Sequence, residues 1–217
     1  MNKIIINTFL AICISILLLI ISVQFFSFNT SYLYNHINKD VSVNNEDLYT
    51  SVSKISDYLQ NEIDNISFQI TYKDKNVFAF NKKEIKHMED VKKIYLLMNK
   101  FKYFLITIIF LIVVIIRKKY LINSVYYSIF ISFFTLIILF INILKGNFNN
   151  IFLKFHELAF NNDLWILNPK TDLLINLVPL DFFIKITFHI AIFFIFLEIT
   201  IIVVSFFLIK PLIKNFN

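Results

Sequence analysis

Apolar and polar residues fall in long blocks along this chain. Four stretches, 4–28, 101–116, 121–144 and 182–209, are almost wholly apolar. A helix needs about 20 residues to cross a hydrocarbon core roughly 30 Å thick. Each stretch is read as a membrane-spanning helix, and the second, which is short, can extend upstream through residues 94–98. The first is too long for a signal-peptide core of about 7–15 residues. No small-x-small cleavage site follows it, so it is read as an uncleaved anchor. The pattern predicts an all-α membrane protein: a four-helix transmembrane bundle with a small, mainly helical extracytoplasmic cap.

The polar blocks have their own periods. In 29–100, Leu48, Val52, Ile55, Leu59 and Ile63 recur at helical spacing, behind Asn44-Asn45 as cap and Glu46-Asp47 in the first turn. Residues 68–72 and 77–80 alternate around 73–76, which predicts a small hairpin. Asn81 is placed to cap a further helix carrying Ile85, Met88, Val91, Ile94 and Met98 on one side, continuous with the second span. In 145–181, residues 149–160 read as a helix lying at the membrane interface, and Trp165 suits the headgroup level. Asn168-Pro169 predicts a turn, Thr171 a short helix cap, and Pro179 the first turn of the last span.

Composition supports the membrane reading: 58% of the residues are apolar, against about 45–50% in ordinary soluble domains. Charge then orients the helices. Lys3, the loop Arg117-Lys118-Lys119 (within 117–120), and Lys210 and Lys214 of the tail 210–217 are six bases with no acid among them. The segment 28–100 holds ten Lys and ten acids, and 145–181 holds three Lys and four acids. The basic face is cytoplasmic by the positive-inside rule. Both termini are expected on the cytoplasmic side of the membrane, and both large segments outside. The net charge of +6 is thus a topology signal that requires no nucleic-acid partner.

Candidate chemistry narrows to histidine. His36, His87, His156 and His189 form no metal-ligand spacing, and no glycine-rich phosphate loop or nucleophile elbow occurs; no cofactor or metal is expected. His36 reads as loop decoration and His189 as a neutral side chain bonded within the last span. His87 lies between Glu84 at i−3 and Asp90 at i+3, on one helix face. A carboxylate there could fix the imidazole's tautomer; the plainer reading is a solvated polar face. His156, between Phe155 and Phe160 and followed by Glu157, reads either as a catalytic group or as a half-buried interfacial ring. A non-enzymatic membrane sensor or an accessory transporter subunit is the competing class. It fits less well, because no cytoplasmic domain and no inverted repeat are evident.

Two stretches carry a family resemblance. Lys86-His87-Met88-Glu89-Asp90-Val91 resembles a His-Met-x-Asp-Val motif. Phe155-His156-Glu157-Leu158, Trp165, Asn168-Pro169, Asp172-Leu173-Leu174-Ile175, Pro179 and Phe182-Phe183 resemble a second signature. Both are similar to the lipoprotein intramolecular transacylase family. The chain departs from it at Ala159, where an aromatic is usual, and at Asn168, where an acid is common. The resemblance implies an acyltransferase acting on diacylglyceryl-modified bacterial lipoproteins among membrane lipids. The sn-2 acyl chain moves to the α-amino group of the lipoprotein's own N-terminal Cys, giving a lyso-form. It implies His87 and His156 as catalytic, with Asp90 and Glu157 in support. Phe155, Phe160, Trp165, Asp172, Phe182 and Phe183 are implied to bind substrate. One histidine acts as base and one as acid, in either order, and an acyl-histidine route also fits.

Overall fold

A computed structural model of the chain describes residues 3–72, 75–115 and 148–209, with 123–128, 130, 137 and 141 between them. The elements in order are α1 (Lys3–Ser27), α2 (Thr30–His36), α3 (Asn45–Gln60), β1 (Gln69–Tyr72), β2 (Lys75–Phe78), α4 (Lys82–Ile115), α5 (Phe148–Ala159), α6 (Leu173–Leu177) and α7 (Leu180–Val204). A π-helical turn, Ser205–Ile209, follows. Among the described residues, three helices are long and apolar enough to cross a membrane: Ile4–Ser27, Lys82–Ile115 and Leu180–Phe207. Most of the expected third span, 121–144, and all of 117–120 and 210–217 lie outside the described residues.

Two compact units can be described separately. The apolar unit draws on Met1–Val23, Asn99–Gly146 and Phe188–Asn217. Leu10, Ile14 and Leu18 recur every four residues, so they share one face of α1. They pack with Val125 and Phe194, flanked by Ile109, Ile112, Leu197, Ile201 and Ile202. Outward apolar groups such as Phe110, Ile115, Ile192 and Phe207 stay exposed, as a lipid-facing surface requires. Two buried serines in this unit are paired. The Ser128 hydroxyl donates to the buried Glu198 carboxylate at 2.9 Å, and Ser15 donates to the Ser128 carbonyl at 3.3 Å.

The second unit comprises Gln24–Met98 and Asn147–Thr187 and carries the candidate chemistry. The Asn44 side chain accepts from the Asp47 amide at 2.8 Å and opens α3, as its sequence predicts. Leu48, Val52 and Leu59 are buried, as are Ile66, Ile70, Phe80 and Leu177, so the apolar side of α3 is covered. The hairpin forms in antiparallel register, Gln69 opposite Phe78 and Tyr72 opposite Lys75. The Thr71 amide also donates to Asp47 at 2.7 Å, which fastens β1 to the start of α3.

The structure departs from the sequence reading at several elements. Helix α3 ends at Gln60, before left-handed Asn61, so Ile63 lies outside it, and the second strand is Lys75–Phe78 instead of 77–80. Residues around His36 form helix α2, capped by Asn29 through the Tyr32 amide at 2.8 Å. Its ring stacks on Tyr32 with centroids 4.1 Å apart, so His36 belongs to a built element. The short helix α6 is capped at Asp172, one residue after the expected Thr171. Thr171 instead donates its hydroxyl to the Asp172 carboxylate at 2.7 Å. That carboxylate also accepts the Asn168 amide at 2.7 Å, which places the turn around Asp172.

Candidate active site

Helix α4 begins with a reciprocal cap. The Asn81 side chain accepts the Glu84 amide at 3.1 Å, and the Glu84 carboxylate accepts the Asn81 amide at 2.7 Å. Nine charged residues fall between 82 and 100, so the strongly apolar part of α4 is its remainder, 101–115. His87 lies one turn into α4 and is buried, 8% exposed. Helix α5 presents His156, equally buried. The two rings lie with centroids 6.2 Å apart, within the second unit.

Aromatic side chains surround the pair. Around His156 stand Phe152 at 4.3 Å, Trp165 at 5.0 Å, Phe155 at 5.4 Å and Phe160 at 5.6 Å between centroids. Phe160 also meets His87 edge-on at 5.2 Å. Phe183 packs on Phe152 at 5.0 Å and on Phe182 at 5.4 Å. Of the expected substrate-binding residues, Phe160 and Trp165 thus touch the histidines directly. Phe182 and Phe183 back them through Phe152. Phe155 flanks His156 and is itself exposed.

Nδ1 of His156 lies 2.7 Å from the carbonyl of Phe152. A carbonyl only accepts, so Nδ1 carries the proton and Nε2 keeps its lone pair. The helical i, i+4 spacing of Phe152 and His156 was the available signal for this partner; the sequence reading missed it. His87 differs: its Nδ1 is buried with no hydrogen-bond partner among the described residues. Leaving such an atom unpaired costs about 1–3 kcal/mol, and unpaired buried polar atoms recur at sites that receive a ligand. Burial first, then the neighbouring His156, pushes the His87 imidazole down to about 4, and Asp90 opposes the shift. Burial likewise lowers His156, against the opposing effect of the Phe152 carbonyl. Both rings are therefore neutral near pH 7.

The two carboxylates flanking His87 do not bond to it. Asp90 accepts from Lys93 at 2.8 Å and from the Asn162 side chain at 2.9 Å. Those two donors hold its carboxyl below the usual range. The expected Asp90–imidazole hydrogen bond is replaced by a link from α4 to the 161–168 loop; Asp90 acts on His87 only through its charge. Glu84 accepts the Leu174 amide at 2.7 Å. Burial raises its carboxyl, partly offset by the Leu174 and Asn81 amides. Asp172 is saturated by Asn168, Thr171 and the Asn81 side chain at 2.9 Å. Burial pushes its carboxyl up, but these donors prevail and hold it low. It is placed as a bracket of the loop. Glu157 is exposed and makes no hydrogen bond among the described residues. Asn81, Glu84 and Asn162, which sequence reading did not assign to the site, are the residues that brace it.

Comparison with known proteins completes the description. Residues 2–183 match the family model described as lipoprotein intramolecular transacylase Lit. No curated protein sequence matches the chain. The in meso structure of the membrane integral lipoprotein intramolecular transacylase Lit from Bacillus cereus aligns with a TM-score of 0.74 at 18% identity, covering 98% of this chain and 96% of that one. A variant of that protein with one histidine changed to arginine aligns with a TM-score of 0.72 at 18% identity, covering 98% and 92% of the two chains. At that identity the likeness establishes a shared fold.

Proposed function

The chain belongs to the Lit family of lipoprotein intramolecular transacylases, and from that premise we propose how its buried histidine pair carries out the transfer. The protein is a membrane acyltransferase with lipoprotein substrates, and the non-enzymatic alternative falls away. The acyl group that moves is the sn-2 chain of a diacylglyceryl-modified N-terminal Cys. The α-amine nitrogen bonds to the acyl carbonyl carbon, the ester C–O bond breaks, and the amine's proton ends on the glyceryl oxygen. The cyclic transition state contains about eight atoms, so much of the catalysis is holding the two ends together. The aromatic residues around His156 are suited to that confinement.

The observation that carries this reading is the juxtaposition of two buried, neutral imidazoles, one with its tautomer fixed. His156 presents the Nε2 lone pair and takes the amine's proton; an α-amine with a pKa of about 7.7–8.0 is within an imidazole's reach. His87 offers the unpaired nitrogen and hydrogen-bonds the acyl ester as charge develops on its oxygens. Phe155, Phe160, Trp165, Phe182 and Phe183 enclose the lipid-bearing end of the substrate. Glu157 is accessible to the substrate's headgroup side, and Asp172 shapes the loop. The decisive experiment gives the purified protein a diacylglyceryl lipopeptide and follows it by tandem mass spectrometry. The product should keep its mass, carry the acyl chain as an amide and leave a monoacylglyceryl thioether. An unchanged ester, or acyl transfer only from added phospholipid, would remove this reading.

Topology completes the proposal. The chain crosses the membrane four times, by 4–28, 101–116, 121–144 and 182–209. Both termini are cytoplasmic, and 29–100 with 145–181 forms an outer cap where the lipoprotein's modified end lies. Cysteines introduced near Lys54 or Asn161 should react with a membrane-impermeant thiol reagent in intact cells, and one near Lys118 should not. Labelling at Lys118 from outside would reverse the orientation.

A further inference from the structure

Glu84 is nearly inaccessible, 1% exposed, yet its carboxylate meets no cation among the described residues. One oxygen accepts the Asn81 amide at the start of α4, and the other accepts the Leu174 amide in the first turn of α6, both at 2.7 Å. The α6 cap residue, Asp172, supplies no side-chain cap of its own. Glu84 therefore caps two helices at once: its own, and a second that lies 90 residues later in the chain. Asn81 repeats the link by donating to Asp172 at 2.9 Å. A lysine, Lys83, extends it by donating to the Ile166 carbonyl.

The position of this clasp bears on the chemistry. His87 lies three residues after Glu84 on the same helix face. α6 leads through Leu177, which is fully buried, to Phe182 and Phe183, and Phe183 packs against Phe152 beside His156. Leu177 is further held by its carbonyl, which accepts the Asn38 amide at 2.9 Å. The rotation and axial position of α4 beneath His87 are thus fixed against the segment that backs His156. An offset of about 1 Å at a reacting centre can cost on the order of a hundredfold in rate.

We propose that Glu84 is a positioning residue that sets the spacing of His87 and His156 by bonding the α6 amide across the site. This rests on the two-histidine reading above. The Glu84→Gln variant retains shape but can accept only one of the two amides without turning its own N–H against the other. The Glu84→Asp variant keeps the charge and shortens the arm by one methylene. The full chain would be assayed with the diacylglyceryl lipopeptide, recording kcat and KM separately together with the melting temperature. Both variants should lose thirtyfold or more in kcat, with KM within twofold and melting within a few degrees of the parent. A kcat within twofold of the parent overturns the proposal. So does a fall of kcat and melting temperature together with a raised KM in both variants, which would make Glu84 a residue of the fold alone. His87→Ala is assayed alongside: if it stays active, the two-histidine reading fails, whereas an inactive His87→Ala with a fully active Glu84→Gln sinks only the role given to Glu84.

Discussion

Replacing either His87 or His156 by alanine should abolish nearly all lyso-product formation, by about a thousandfold or more, and the double variant should be little worse. General acid–base groups contribute typically 10²–10⁴ each. Residues that act as one unit lose their effect together. The structure gives a reason for such coupling: the two rings are 6.2 Å apart and can each reach the same substrate group. Single-turnover formation of the amide product would be measured for both single variants and the double, with folding checked by gel filtration. If the two losses multiply, the histidines serve separate steps. If one single variant stays active, that histidine has only a packing role.

Acid should destabilise the protein through His87, and removing His87 should blunt that sensitivity. Its imidazole is held at about 4, against about 6.5 in an unfolded chain. A depressed histidine leaves stability intact above the unfolded value. The stability is lost as pH falls from about 6.5 toward 4, because the unfolded chain binds the proton first. The loss at pH 4 amounts to about 3 kcal/mol. His156 is shifted in the same direction and adds to it. Thermal unfolding of the parent and of His87→Gln in the same detergent, at pH 7 and pH 4.5, provides the comparison. The gap between the two pH values should shrink clearly in the variant. An equal acid penalty in both proteins would show that the His87 ring titrates in the ordinary range.

What could be read from the chain was whatever repeats or caps locally. The Asn44 cap, the α3 stripe as far as Leu59, the hairpin and the Asn81 start of α4 all have a signature within one or two turns, and each forms, although α3 stops before Ile63 and the second strand is Lys75–Phe78. The family motifs brought His87 and His156 forward, and the structure sets them side by side. Less could be read of how the flanking carboxylates are spent. Spacing places Glu84 and Asp90 on the face of His87. It does not tell whether a side chain turns toward the ring or across to a segment 72 or 90 residues away. Both turn across, to Asn162 and Leu174. Helix α2 escaped because seven residues hold too little periodicity to stand out from a loop. The start of α6 at Asp172 escaped because Thr171 beside it is an equally good candidate by composition, whereas the amide of Leu174 is met by Glu84 instead.

The bond from His156 to the carbonyl of Phe152 has an experimental corollary. In many histidine catalysts the residue that fixes the ring is a side chain, and a scan of substitutions finds it. Here that partner is a peptide group one helical turn away, so no substitution at position 152 deletes it. Phe152→Ala would thin the aromatic enclosure and leave the ring's protonation pattern as it is. A search for a third catalytic residue by mutagenesis would therefore return an empty result around His156, although the ring is oriented all the same. Only a change to the backbone, such as an ester in place of the amide that follows Phe152, weakens that acceptor. The proton's direction of travel at this site is inherited from the winding of α5 itself.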